Sequence, residues 1–150
     1  MMTREEHDKR MATLQLVTLP YLIAVTIWLE ARGEPREGKI AVAYVCLDRM
    51  SNGIATDDIL FPKQFSSFTY PSATFESLRK IDPLDPVFVE CVNIAFGVVK
   101  GDLENPYPGI KYFWNPETMR NETGNDNPYW AKNTIIVGQV GKHRFAKDKV

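Results

Sequence analysis

Two carboxylates, Glu30 and Glu34, stand four residues apart in the stretch Leu29-Glu30-Ala31-Arg32-Gly33-Glu34-Pro35, and their type and spacing could do acid–base chemistry. Reading back from Glu30 at helical spacing meets Ile27, Thr26 and Ile23, so its Cβ points to the side of that apolar row. A carboxyl held against apolar surface resists ionisation, and the negative end of the helix dipole acts in the same sense. Glu30 is therefore suited to carry a proton near neutrality. Cleavage of a glycosidic bond needs such a donor on the leaving oxygen, and normally a second carboxylate as nucleophile or to activate water. Glu34 is the near candidate for that second role, although Gly33 and Pro35 make the backbone between the two irregular. It could equally cap the following helix or pair with Arg32, Arg36 or Arg49. Spacing alone leaves Glu30 open between a catalytic acid and an ordinary carboxylate frayed out at a helix end.

Other chemistries find little to work with. There is no phosphate-binding Gly loop and no dinucleotide fingerprint, so no cofactor is expected. His7 and His143 form no His/Cys cluster at ligand spacing, so no metal is expected. A Ser or Cys nucleophile would need a histidine nearby, and His143 is the one credible candidate. Cys46 and Cys91 sit in apolar helical runs, which suits buried free thiols in a reducing compartment; a disulfide between them is the alternative. The net charge of −1 gives no reason to expect nucleic acid or an anionic membrane as a partner. The apolar run from Leu14 to Leu29 is interrupted by Gln15, Thr18, Pro20 and Thr26 and preceded by Glu5, Glu6 and Asp8. It is too short and polar for stable membrane insertion and unlike an export signal, so a cytoplasmic product is expected.

The elements that must position Glu30 follow from the pattern. At 150 residues the chain is expected to be one domain, residues 1–150, with residues 1–18 as an N-terminal helical extension whose charged start is solvated. A helix opens at Thr18-Leu19-Pro20, runs to about Ala31 and stops at Gly33; a second runs from Pro35-Arg36-Glu37 to Met50 and is apolar on nearly all sides. Asp57 to Pro71 reads as an aromatic-rich loop, and Ser72 to Ile81 as a short helix. Asp85 as N-cap, Pro86 in the first turn and Gly101 as the stop frame a further helix. After Gly101 come short strands at Tyr112–Trp114, Thr134–Val137 and around His143–Phe145, while Thr118 to Pro128 reads as polar and turn-rich. Helices first and a small antiparallel sheet last make an α+β fold. Aromatics crowd the last third, and alternation sets Phe113 opposite Tyr112 and Trp114. Tyr129 and Trp130 lie in polar turns where exposed rings mark binding surfaces, and sugars stack on such rings.

These residues also carry a resemblance. Leu29-Glu30-Ala31-Arg32-Gly33-Glu34, Gly38, Ile40-Ala41-Val42-Ala43 and Leu47-Asp48-Arg49 resemble the signature of the SleB-type cell-wall hydrolases, the spore-cortex-lytic enzymes. Gln64-Phe65-Ser66, Phe113-Trp114-Asn115-Pro116, Pro128-Tyr129-Trp130-Ala131 and Gly141-Lys142-His143-Arg144-Phe145 follow in the family's order, so the likeness covers roughly Tyr21 to Phe145. It implies a lysozyme-like domain that cleaves the glycan strands of bacterial peptidoglycan, with Glu30 as the catalytic acid. Family members studied as cortex enzymes resemble lytic transglycosylases, in which one Glu serves as acid and then base and no second carboxylate is required. On that scheme Arg32 and Glu34 shape the site floor, and Gln64, Ser66, Tyr112, Asn115, Trp130 and His143 are candidate cleft residues.

The chain departs from the family at Asp48, where an Asn is frequent, and at Lys111-Tyr112, where a Thr-His pair is frequent. Cortex preference is accordingly in doubt, and a single-domain form without an export signal fits a monomeric, endolysin-like protein released onto the wall. Two rivals stand beside this reading. One is a water-using muramidase with Glu34 or Asp126 as second carboxylate; the other is a non-catalytic glycan-binding module, in which a buried helical Glu would be a costly feature.

Overall fold

The computed structural model describes residues 1–14, 19–51 and 76–149. The apolar run becomes the central helix. Helix α2, Leu19–Ala31, buries every residue from Leu22 to Leu29, so it is enclosed on all sides rather than amphipathic. Pro20 occupies its first turn, where no backbone hydrogen bond is lost. Its one buried hydroxyl is satisfied, since Thr26 Oγ1 donates to the Leu22 carbonyl at 2.9 Å.

Two helices pack against α2: α3, Arg36–Ser51, and α4, Pro86–Lys100. Ile23 and Ile27 of α2 meet Val42 and Val45 of α3 and Ile94 and Val98 of α4, all at 1% exposure or less. Each such aliphatic contributes roughly 1.5–3 kcal/mol by leaving water. The α4 frame is the one the sequence predicts. Asp85 accepts from the Val87 and Phe88 amides at 2.8 and 3.4 Å, and Gly101 closes the helix at φ 80°. Lys39, buried in α3, pairs with Glu90 of α4 and ties the two helices together.

The sheet follows the three packed helices, giving the α+β arrangement. Strands β1 (Ile110–Trp114), β2 (Thr134–Val140) and β3 (His143–Asp148) pair antiparallel in the order β1-β3-β2. Phe113 stands opposite Phe145, and Gly138 opposite Phe145 on the other side, with register shifts next to Lys111 and Val137. Alternation sorts the aromatics as expected. Phe113 and Phe145 pack on the helical core, while Tyr112 and Trp114 join Trp130 and Ala146 in a second cluster.

Three expectations are corrected. The segment read as turn-rich contains helix α5, Pro116–Thr123, capped by Asn115, whose side chain accepts from the Thr118 amide at 3.1 Å, and stopped by Gly124 at φ 82°. The charged start forms helix α1, Arg4–Leu14, but is not simply solvated: Met2 and His7 are 5% and 4% exposed. Of the helix expected over 72–81, the described part is a 3-10 turn at Ser77–Lys80, and residues 72–75 lie outside the described residues. The aromatic loop over 57–71 also lies outside them. Among the described residues no helix is long and apolar enough to cross a membrane.

Candidate active site

The site is built where the central helix ends. Glu30 is the penultimate residue of α2, half-buried, with Leu29 and Ala31 buried on either side. The chain then turns through Arg32 to Pro35, held by the Glu34 amide donating to the Ala31 carbonyl at 2.9 Å, and α3 begins. This elbow needs a partner surface, and the turn between β2 and β3 supplies it. The Lys142 amide donates to Glu34 Oε1 at 2.8 Å, across 108 residues of sequence. Gly141 sits at φ 54° so close to the elbow that a Cβ there would lie 2.8 Å from Pro35 Cδ and 2.9 Å from Glu34 Oε2. Only glycine fits both the backbone conformation and the space.

Glu34 is therefore the latch between elbow and hairpin. Its side chain is 9% exposed, and Oε1 also lies 3.4 Å from Nδ1 of His143, itself 10% exposed. That contact has the distance of an ion pair without hydrogen-bond geometry, and Nδ1 is buried with no hydrogen-bond partner among the described residues. Burial pushes the His143 imidazole below its ordinary pKa, against the opposing pull of the Glu34 charge. His143 stands against Phe113 at a ring separation of 5.1 Å, edge to face, which fixes its plane. The sequence allowed Glu34 to pair with Arg32, Arg36 or Arg49; its partners are instead Lys142 and His143.

A cleft of about 330 Å³ opens between elbow and hairpin, lined by Leu29 to Glu34, Asn115, Lys142 and His143. Five sequence-predicted residues thus meet in one place: Glu30, Arg32, Glu34, Asn115 and His143. Asn115 turns its side-chain oxygen to the α5 cap, leaving the NH₂ edge as a donor. Arg32 lies over the Trp28 ring, 4.3 Å from its centre, and donates to the Trp28 carbonyl at 3.3 Å. Near the far end of α3 the Arg49 guanidinium donates to the Lys111 carbonyl at 2.9 Å, joining α3 to β1. Burial lowers the pKa of Arg49, while the charges of Glu30 and Asp48 nearby oppose the shift.

Other candidates lie elsewhere. Tyr112 and Trp130 pack on each other at 5.4 Å in the second cluster, with the Tyr112 hydroxyl donating to Asp148 at 2.7 Å, and neither lines the cleft. Asp126 is exposed and bound to Arg120 at 2.6 Å, which holds its carboxyl below the usual range. Tyr129 is 86% exposed. Gln64 and Ser66 lie outside the described residues. Cys46 and Cys91 are buried and free, with burial pushing their thiols up to about 12 and about 11, so neither is a thiolate nucleophile at neutral pH. Lys142 is the lining residue that the sequence reading passed over. Its signal was a Gly-Lys turn one residue before His143.

These features define an α+β domain with a cleft that carries two carboxylates, Glu30 and Glu34. The cell wall hydrolase family matches residues 33–146, and the chain belongs to that family. The match begins at Gly33, so Glu34, Asn115 and His143 fall inside it, with Glu30 and Arg32 just ahead. Among curated proteins, the spore cortex-lytic enzyme of Oceanobacillus iheyensis is 28% identical over 130 residues, covering 84% of this chain and 40% of that protein. Those of Bacillus subtilis and Halalkalibacterium halodurans are 24% and 26% identical, over 36% and 33% of their lengths. The chain thus spans two-fifths or less of these relatives. No solved structure matches.

Proposed function

We propose that the chain cleaves peptidoglycan glycan strands between N-acetylmuramic acid and N-acetylglucosamine, as a lytic transglycosylase with Glu30 as its single acid and base. In the first step Glu30 protonates the glycosidic oxygen, which leaves as the 4-hydroxyl of N-acetylglucosamine. The muramyl C6 hydroxyl then attacks its own anomeric carbon. Glu30, now a carboxylate, takes the hydroxyl proton, so an anhydro sugar forms and the acid is regenerated.

The observation that carries this reading is the division of labour between the two cleft carboxylates. Glu34 Oε1 is committed to the hairpin amide and lies beside His143, whereas Glu30 stands on the rim of the cleft at the end of a buried helix. A scheme that needs one acid fits a site in which the other carboxylate is a structural latch. Kinship to proteins named spore cortex-lytic enzymes supports the substrate class. The Asn115 amide and the Arg32 guanidinium are donors for the sugar's hydroxyl and acetamido oxygens.

Digestion of purified peptidoglycan by the wild type and Glu30→Gln, read by mass spectrometry of the fragments, tests this. Anhydro-muramyl ends from the wild type are expected, with a loss of at least about 10²-fold in rate for Glu30→Gln. Reducing muramyl ends would replace the transglycosylase with a water-using hydrolase. Sacculi that are bound but left intact would leave a glycan-binding module.

A further inference from the structure

A second groove continues the cleft and no step of the proposed chemistry uses it. It encloses about 300 Å³ and shares Asn115 and Lys142 with the catalytic cleft, so one ligand can run through both. Its walls differ in charge from the first. Arg120, Lys142 and Arg144 face it together with one carboxylate, Glu117.

The disposition of these charges matters more than their number. Arg120 is neutralised by Asp126 at 2.6 Å. Arg144 is held by neutral oxygens: Asn127 Oδ1 at 2.7 Å and Gln139 Oε1 at 3.3 Å. Its planar fork is thereby oriented while its charge keeps no bonded carboxylate among the described residues; Asp126, an acid near enough to feel it, is spent on Arg120. Lys142 makes no ion pair among the described residues, because its backbone amide, and not its ammonium, engages Glu34. Two cations thus converge without a bonded counter-charge beside a cleft that takes a polymer. A guanidinium held in place on a β-strand loses little freedom when it receives a carboxylate.

We infer that this groove is a carboxylate-binding subsite, and that its ligand is the peptide stem borne by the muramyl residue in or next to the catalytic cleft. The inference rests on the peptidoglycan reading above and adds to it a preference for stem-bearing over bare glycan. Lys142, at the junction, receives the carboxylate nearest the sugar, and Arg144 holds the one further along the stem.

The test uses the full chain and a soluble probe, N-acetylmuramyl-L-alanyl-D-glutamate, with its bis-carboxamide as the uncharged twin, titrated by calorimetry or NMR. The wild type is expected to bind the acid probe at least about tenfold more tightly than the amide, and Arg144→Gln to lose most of that difference. Because Arg144 lies on the central strand, Glu117→Gln on exposed α5 supplies a variant whose folding is not at stake. Removing the rim anion should tighten the acid probe about two- to threefold and leave the amide unchanged. Equal affinity of the wild type for both probes, or no response in either variant, overturns the subsite. Failure of the two readings is separable. A wild type that digests peptidoglycan but does not discriminate the probes loses only the subsite, and one that discriminates the probes but digests nothing loses only the catalytic reading.

Discussion

Replacement of Glu34 separates the latch from a second catalytic carboxylate. The side chain is 9% exposed, accepts the Lys142 amide at 2.8 Å and stands 3.4 Å from His143 Nδ1. A hydrogen bond to a charged acceptor contributes about 1.5–3 kcal/mol, and the Lys142 amide belongs to an exposed residue, where water can take the acceptor's place. Glu34→Ala removes the acceptor and leaves the amide to water, so a loss of about 1.5 kcal/mol, the low end of that range, is expected, or a fall in Tm of about 3–6 °C for a chain of this length. Glu34→Gln keeps an acceptor oxygen of the same shape and loses the charge, and about 1 kcal/mol is expected. The two schemes diverge on activity. As a latch, Glu34→Gln should retain kcat to within about tenfold, whereas loss of a nucleophile or base should cost about 10²–10⁴-fold. Thermal unfolding by circular dichroism and digestion rates on purified peptidoglycan read the two effects separately. A Glu34→Gln protein that melts within a few degrees of wild type yet is as inactive as Glu30→Gln would refute the single-carboxylate scheme.

Two further outcomes follow from the same junction. Gly141→Ala forces a φ of 54° on a residue with a Cβ and drives that atom against Pro35 and Glu34. A destabilisation of about 2 kcal/mol or more, measured by urea unfolding, is expected, and a loss below about 0.5 kcal/mol would mean that the hairpin does not press on the elbow. His143 has its folded-state pKa lowered by burial, so the native state binds fewer protons there than the unfolded chain. The stability it lends is fully present above the unfolded histidine value of about 6.5 and is lost as pH falls through the lower folded value. Unfolding free energies across pH 4–8 should therefore fall on the acid side, with a slope that shrinks in His143→Gln; an unchanged slope would exclude His143 as its source.

How much of this was legible in the sequence depends on where each signal resides. The α4 frame was readable because Asp85, Pro86 and Gly101 surround an apolar run, so cap and pattern agree. Asn115, Pro116 and Gly124 form the same frame around α5, but Pro116 is its one buried residue and no apolar stripe announces it. Cap chemistry alone specified that helix, and a reading led by hydrophobic pattern passed over it. Residues Leu22 to Leu29 misled in the opposite sense. Helical spacing reads as putting Glu30 on one apolar face, whereas the helix is buried all round from Leu22 to Leu29 and Glu30 is the half-buried residue one position from its end, between buried Leu29 and Ala31.

The limit of sequence reading is clearest at Glu34. Local spacing offers three arginines as partners, all within fifteen residues, and favourable charge makes any of them plausible. The partner that folding selects lies 108 residues away and is a backbone amide, which no residue type announces. The signal that did exist was steric. Gly141 is the one residue that permits the hairpin to approach Pro35, and a glycine whose added Cβ would strike a proline and a glutamate from the opposite end of the chain encodes that contact. Glu30 and the cleft around it are thus specified by different means. Glu30 is set locally, near the end of a buried helix, and the cleft it lines exists only once the two ends of the family segment close on each other.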